Sequence, residues 1–196
     1  MRSLLLPALL IVLSFVEGCS TSPRAAFYTL SAAPPLESVR TPTPPISIAI
    51  DAVTIPELVD RPQFVLRTGA TQVTIDEYAR WADPLRSQIS RVLAADLARA
   101  VPGALVSGFA QHSDSTEAYR VRVDVQSFES APGEAAAMVV LWSVRPPKQS
   151  TAIAGQTIAR ELASAPGYYA LVDAHSRILA TVSNDIASAI RLSAPH

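Results

Sequence analysis

The sequence predicts an α/β sandwich on a mostly antiparallel or mixed sheet. Three observations predict it. Several short segments alternate apolar and polar residues at period two, the signature of a strand with one buried face. Two much longer segments repeat apolar residues at three- and four-residue spacing, the signature of an amphipathic helix. The helical segments interrupt runs of strands instead of alternating with them one for one, so strands in sequence pair largely with their neighbours.

The body opens at "ISIAIDAV", where Ile46, Ile48 and Ile50 alternate with Ser47, Ala49 and Asp51 in a β-branched strand pattern. "QFVLRT" and "TQVTI" read as two short strands around Gly69, a hairpin. The next segment, "DPLRSQISRVLAADLARAVPG", carries the strongest helix signal. Asp83 is suited to cap it, Pro84 to occupy its first position, and Pro102-Gly103 to end it. Leu85, Ile89, Leu93 and Leu97 line one face, widened by Val92 and Val101. Trp81, just before the cap, is placed to cover that apolar face from its N-terminal end. Three strands are expected next: "ALVSGF", "EAYRVRVDVQSF" and "AAAMVVLWSV". In the second, Tyr119, Val121, Val123 and Val125 point one way and Arg120, Arg122, Asp124 and Gln126 the other, as in a sheet with one wet face. Residues 149–162 read as a strand with a bulge at Gly155. The second helix covers "GYYALVDAHSRILATVSNDIASAI", with Val172, Leu179, Val182, Ile186 and Ile190 on one face.

The N-terminal region has a different character. Arg2 precedes an apolar run from Leu4 to Val16, and Gly18 is the small residue that a signal peptidase requires. The run is shorter than the about 20 residues of a membrane-spanning helix, so residues 1–18 read as an export signal. Cys19 is the chain's single cysteine, and alone it forms no internal disulfide. "VEGC" resembles the lipobox of bacterial lipoproteins, although Glu17 stands where a small or hydroxyl residue is usual. That resemblance implies lipidation of Cys19, with ordinary cleavage and a free thiol as the alternative. Ser20 follows in place of the aspartate that commonly retains a lipoprotein at the inner membrane, so the periplasmic face of the outer membrane is the expected location. Residues 19–45, with Pro23, Pro34, Pro35, Pro42, Pro44 and Pro45, read as a lipidated tether reaching roughly 80 Å at about 3.1 Å per residue. Within it "AFYTL" has the pattern of a short edge strand. Residues 46–196 then form a single domain.

Net charge is −1, with 16 basic residues against 17 acidic ones, which gives no general attraction to nucleic acid. No catalytic constellation appears. His175 reads as a partly exposed helix residue, and Ser176 beside it faces elsewhere. The run His112-Ser113-Asp114 holds three triad residue types whose consecutive side chains diverge. Glu57 with Asp60, and Asp76 with Glu77, are close acid pairs without the further ligands of a metal site. Neither a cofactor nor a metal is expected. The stretch "PELVDRPQ" is the one candidate recognition element. Pro56 and Pro62 are expected to hold it stiff and extended, presenting Asp60, Arg61, Pro62 and Gln63 to a partner at low ordering cost. The alternative is a local turn in which Arg61 pairs with Asp60 or Glu57.

Two longer segments, "VTIPELVDRPQFVLRTG" and "YARWADPLRSQISRVLAADLARAVPG", together with the C-terminal helix, resemble the ABC-type transport auxiliary lipoproteins, the PqiC or YmbA family. The resemblance spans about residues 25–190. It implies a three-layer α/β sandwich like the N-terminal domain of TolB, with a mixed sheet and two long amphipathic helices. It also implies work beside MCE-domain proteins and ABC transporter subunits that move phospholipid or other hydrophobic molecules across the periplasm. A non-catalytic auxiliary subunit, possible self-association and attachment to the membrane through the N-terminal lipid follow from it. A lipid-anchored small-ligand carrier or enzyme is the rival function.

Overall fold

The computed structural model describes residues 23–34, 46–108 and 117–193. Among the described residues, eight strands and two helices follow in the order β1 (Ala26–Tyr28), β2 (Ser47–Thr54), β3 (Gln63–Arg67), β4 (Val73–Trp81), α1 (Leu85–Ala100), β5 (Leu105–Ser107), β6 (Tyr119–Ala131), β7 (Ala135–Arg145), β8 (Ile153–Leu162) and α2 (Tyr168–Ser193). The α/β class and the mixed pairing are as expected, and the strands divide between two sheets. The larger has the order β5-β2-β6-β7-β8, and the smaller β1-β4-β3. In the large sheet β2 runs parallel to both β5 and β6, whereas β6, β7 and β8 are antiparallel neighbours. In the small one β1 runs parallel to β4, and β3 pairs antiparallel with it.

Both helices lay their apolar stripes into one core. On α1, Ile89, Leu93 and Leu97 are 0% exposed and Leu85 is 1% exposed, as the four-residue spacing requires. On α2, Ile178, Leu179, Val182, Ile186 and Ile190 are all fully buried. Beneath them, Val121, Val123 and Val125 of β6 and Met138, Val140 and Val144 of β7 close the core, with the arginines of β6 on the other face. An aromatic chain joins the two sheets and α2. Phe64 stacks on Trp81 at 4.1 Å, Tyr28 and Tyr168 each meet Phe64 edge-on and each other tilted, and Phe128 stacks on His175 at 3.8 Å. Trp81 is therefore part of this core.

Four local expectations are corrected. Asp83 makes no side-chain cap. Pro84, at φ −50° and ψ 127°, is itself the residue before the first helical turn. Buried Gln88 does the bonding instead, donating Nε2 to the Asp83 carbonyl at 2.9 Å and accepting the Leu30 N–H on Oε1 at 2.7 Å. Gly155 makes no bulge, because β7 and β8 keep one continuous register from Ala135↔Leu162 to Val144↔Ile153. It is needed for space: a Cβ there would lie 2.2 Å from the Trp142 ring, which crosses it to donate to Thr157 Oγ1. His175 is not on the surface but 0% exposed. The fourth correction concerns the tether. The edge strand expected at "AFYTL" is present as β1, and the whole stretch 26–34, assigned to the tether, is docked on the body. Leu30 is buried, Ser31 donates its N–H to Ser176 Oγ at 3.2 Å, and Ala33 donates to Asp96 Oδ1 at 2.9 Å. Backbone donors that a free tether would leave to water are taken up by side chains of α1 and α2. The lipobox, Cys19 and Ser20, and the run 112–114, lie outside the described residues. Among the described residues no helix is long and apolar enough to cross a membrane.

Candidate partner-binding site

The prolines of "PELVDRP" do not hold it extended. Val59 and Asp60 donate their N–H groups back to the Pro56 carbonyl at 3.1 and 3.2 Å, closing a single helical turn. Proline restricts the residue before it, so Pro56 limits Ile55 and Pro62 limits Arg61, and residues 57–60 between them remain free to turn. Val59 is buried and pins the turn, while Glu57, Leu58 and Asp60 stay exposed. Its far end is tied to β4, where Trp81 donates its N–H to the Pro62 carbonyl at 2.7 Å.

This places the turn against the entry of α1. Between them lies a surface cleft of about 370 Å³, with Asp60, Arg61 and Pro62 on one side and Trp81 to Leu85 on the other. The Asp60 carboxylate bridges to Arg86 of α1 at 2.6 Å, which braces the cleft across its width. Arg61 pairs with neither Asp60 nor Glu57, and its Nε is buried without a hydrogen-bond partner. Arg61 itself lines the cleft, and its guanidinium charge is of the kind that carboxylates and carbonyl oxygens meet. The structure thus brings together three of the four predicted residues. Gln63 belongs elsewhere: it starts β3 and donates Nε2 to Glu77 at 3.1 Å.

The acid pairs resolve into structural roles. Asp76 accepts from the Tyr168 hydroxyl and from the N–H groups of Tyr78 and Ala79 at 2.8 and 3.0 Å. These donors, the Tyr168 hydroxyl first, hold the Asp76 carboxyl below its ordinary range. Burial, reinforced by Asp76, pushes the Tyr168 hydroxyl up to about 12. Glu77 lies beside Arg80 at 3.6 Å. Among the described residues no cluster of three or more potential metal ligands occurs.

A serine–histidine contact was missed from sequence because 45 residues separate its members. Ser130 Oγ lies 2.8 Å from His175 Nε2, and Nδ1 has no partner. Burial drives His175 down to about 3, so its ring is neutral. Ser130 is 2% and His175 0% exposed, so the pair packs α2 on the sheet and lacks the acid that would orient a catalytic imidazole. The period-two pattern read over residues 119–126 did not reach Ser130; the register shift between Val125 and Ser127 turns Phe128 and Ser130 inward, and nothing local indicated which helix residue would cover Ser130.

The chain matches the model of the family described as the ABC-type transport auxiliary lipoprotein component over residues 28–187. No functionally curated protein matches it in sequence. Among solved structures, it resembles a crystal structure of an uncharacterized protein at 20% identity and a TM-score of 0.71, over 86% of this chain and 99% of that one. It also resembles protein XCC0632 from Xanthomonas campestris at 16% identity and a TM-score of 0.61, over 86% of this chain and 100% of that one. At these identities the likeness shows a shared fold.

Proposed function

We propose, from the premise that this chain belongs to the family of ABC-type transport auxiliary lipoprotein components, that it is a lipid-anchored, non-catalytic docking subunit. Its system moves phospholipid or other hydrophobic molecules across the periplasm, with an MCE-domain protein and the ABC transporter subunits as partners. The observation that carries this reading is the family match over nearly all of the folded body, residues 28–187. The cleft lined by Arg61 and spanned by the Asp60–Arg86 ion pair supports a docking role. Further copies of this chain are the second class of partner it would accept.

Acylated Cys19 would hold the body at the periplasmic face of the outer membrane. Each buried methylene contributes about 0.8 kcal/mol, so several chains anchor stably. Docking of residues 26–34 sets how far the body stands off. Cys19 to Ala26 spans only about 25 Å at full extension, far below the length of a free tether through residue 45. The body then works close to its membrane, and its partners must span the remaining distance.

Affinity purification of the full chain from native membranes tests this reading. Wild type is expected to bring down the MCE-domain protein and the transporter subunits, and mass spectrometry should find acyl chains on Cys19. Cys19→Ala is expected to leave the membrane fraction. An unmodified Cys19 would contradict the anchor, and absence of those partners would contradict the transport role.

A further inference from the structure

Three arginines meet on the face of the large sheet that points away from the helices. Arg120 of β6 and Arg145 of β7 stand directly opposite one another, and Arg122 faces Ser143 one pair further along the same face. The register shift in β2 between Ile50 and Ala52 sits beside them. A bulge of this kind re-aims a side chain, and the Asp51 carboxylate there takes Arg120 Nη1 at 3.1 Å. With Ser143 and Ser150 these residues line a pocket of about 100 Å³.

Two of the three arginines, Arg122 and Arg145, have no acidic partner among the described residues. Like charges directly opposite in a ladder repel, and Asp51, the one acid among the described lining residues, is taken by Arg120. Asp124, next on the face, is taken up by Thr54 and by Gln126 at 2.5 Å. Lys148, two residues before Ser150, is paired with Glu117 at 3.0 Å. On a chain whose net charge is −1, this is a local excess of positive charge with hydroxyls beside it.

We propose that this pocket binds a phosphate group. Guanidinium forks match tetrahedral oxyanions and bond them bidentately. An anion between Arg120, Arg122 and Arg145 converts their mutual repulsion into attraction, and the two serine hydroxyls supply neutral donors. The pocket is well below the about 300 Å³ of a typical small-molecule site, so it takes the charged group and no acyl chain. The same chemistry is offered by inorganic phosphate and by the phosphodiester of a lipid headgroup. This inference stands independently of the transport reading.

Calorimetric titration of the full chain with sodium phosphate, and separately with water-soluble glycerophosphoethanolamine, at constant ionic strength in chloride, tests it. Saturable binding is expected, reduced at least tenfold in the double variant Arg122→Gln/Arg145→Gln. In chloride that variant is expected to melt no lower than wild type, because a repulsion has been removed. The single exposed variant Arg122→Gln supplies the same readout if the double variant fails to fold. Saturation by both ligands supports recognition of the shared phosphate group; saturation by the diester alone identifies a headgroup, and by inorganic phosphate alone the free ion. Failure of wild type to bind either ligand, or undiminished binding by the arginine variants, would overturn the proposal.

Discussion

Lowering the pH from about 6.5 toward 3 is expected to destabilise the fold through His175 by about 1.4 kcal/mol per unit. In the native state burial holds His175 near 3, whereas the unfolded chain takes up this proton near the ordinary 6.5. The unfolded state therefore binds the extra proton throughout that interval, and stability rises with pH across it. The contribution is fully present above about 6.5 and is exhausted at about 3. Asp76 works in the same direction at the acid end, since its depressed carboxyl loses its advantage once pH falls below the unfolded value of 3.8. Asp96 opposes it, because burial raises that carboxyl and its protonation favours the folded state. Comparison with His175→Phe isolates the histidine. Denaturant midpoints between pH 6.5 and 4.5 should fall steeply for wild type and much less for the variant. Parallel slopes would show that His175 is not held neutral.

Leu93→Ala is expected to cost about 2–5 kcal/mol of unfolding free energy. Leu93 is 0% exposed at the centre of the α1 stripe, between Ile89 and Leu97, which are equally buried. Truncation leaves a cavity that the flanking sheet cannot fill without moving strands. The denaturant midpoint should drop while its slope with concentration stays constant, since the surface exposed on unfolding is nearly unchanged. Ala95→Ser, on the exposed side of the same helix, should change stability by no more than about 0.5 kcal/mol. A loss below about 0.5 kcal/mol for Leu93→Ala would contradict the burial of this face.

What could be read in the sequence was what depends on near neighbours. Leu85, Ile89, Leu93 and Leu97 declared their face by spacing alone, and the alternation from Tyr119 to Gln126 declared both faces of β6. The β3–β4 hairpin and the stop at Pro102-Gly103 rest on turn chemistry, with Gly103 at φ 82° as an ending of this kind favours. What was not legible depends on residues far apart. Gly155 looked like a bulge because its real neighbour, the Trp142 ring, lies on another strand. Beyond the expected edge strand, residues 31–34 looked free because Ser176 and Asp96, which hold them, lie 145 and 63 residues away. The cleft was half legible. "ELVDR" was identified, but its turn and the Asp60–Arg86 brace required α1 to be in place. The arginine pocket shows the same limit, since Arg120 and Arg122 were assigned to a wet face and Arg145 joins them only through strand pairing.

Docking through the cleft is the claim on which the functional account turns, and Arg61→Ala tests it most directly. The Arg61 Nε has no hydrogen-bond partner, and Asp60 is held by Arg86 instead. The variant and wild type should be compared by thermal melt and by co-purification from the same membranes. The expected result is a melting temperature within about 2 °C of wild type and at least about tenfold weaker capture of the MCE-domain and transporter subunits, as loss of a central arginine contact produces. Undiminished capture, or a loss of capture matched by a loss of fold, would contradict the assignment of this cleft as the docking surface.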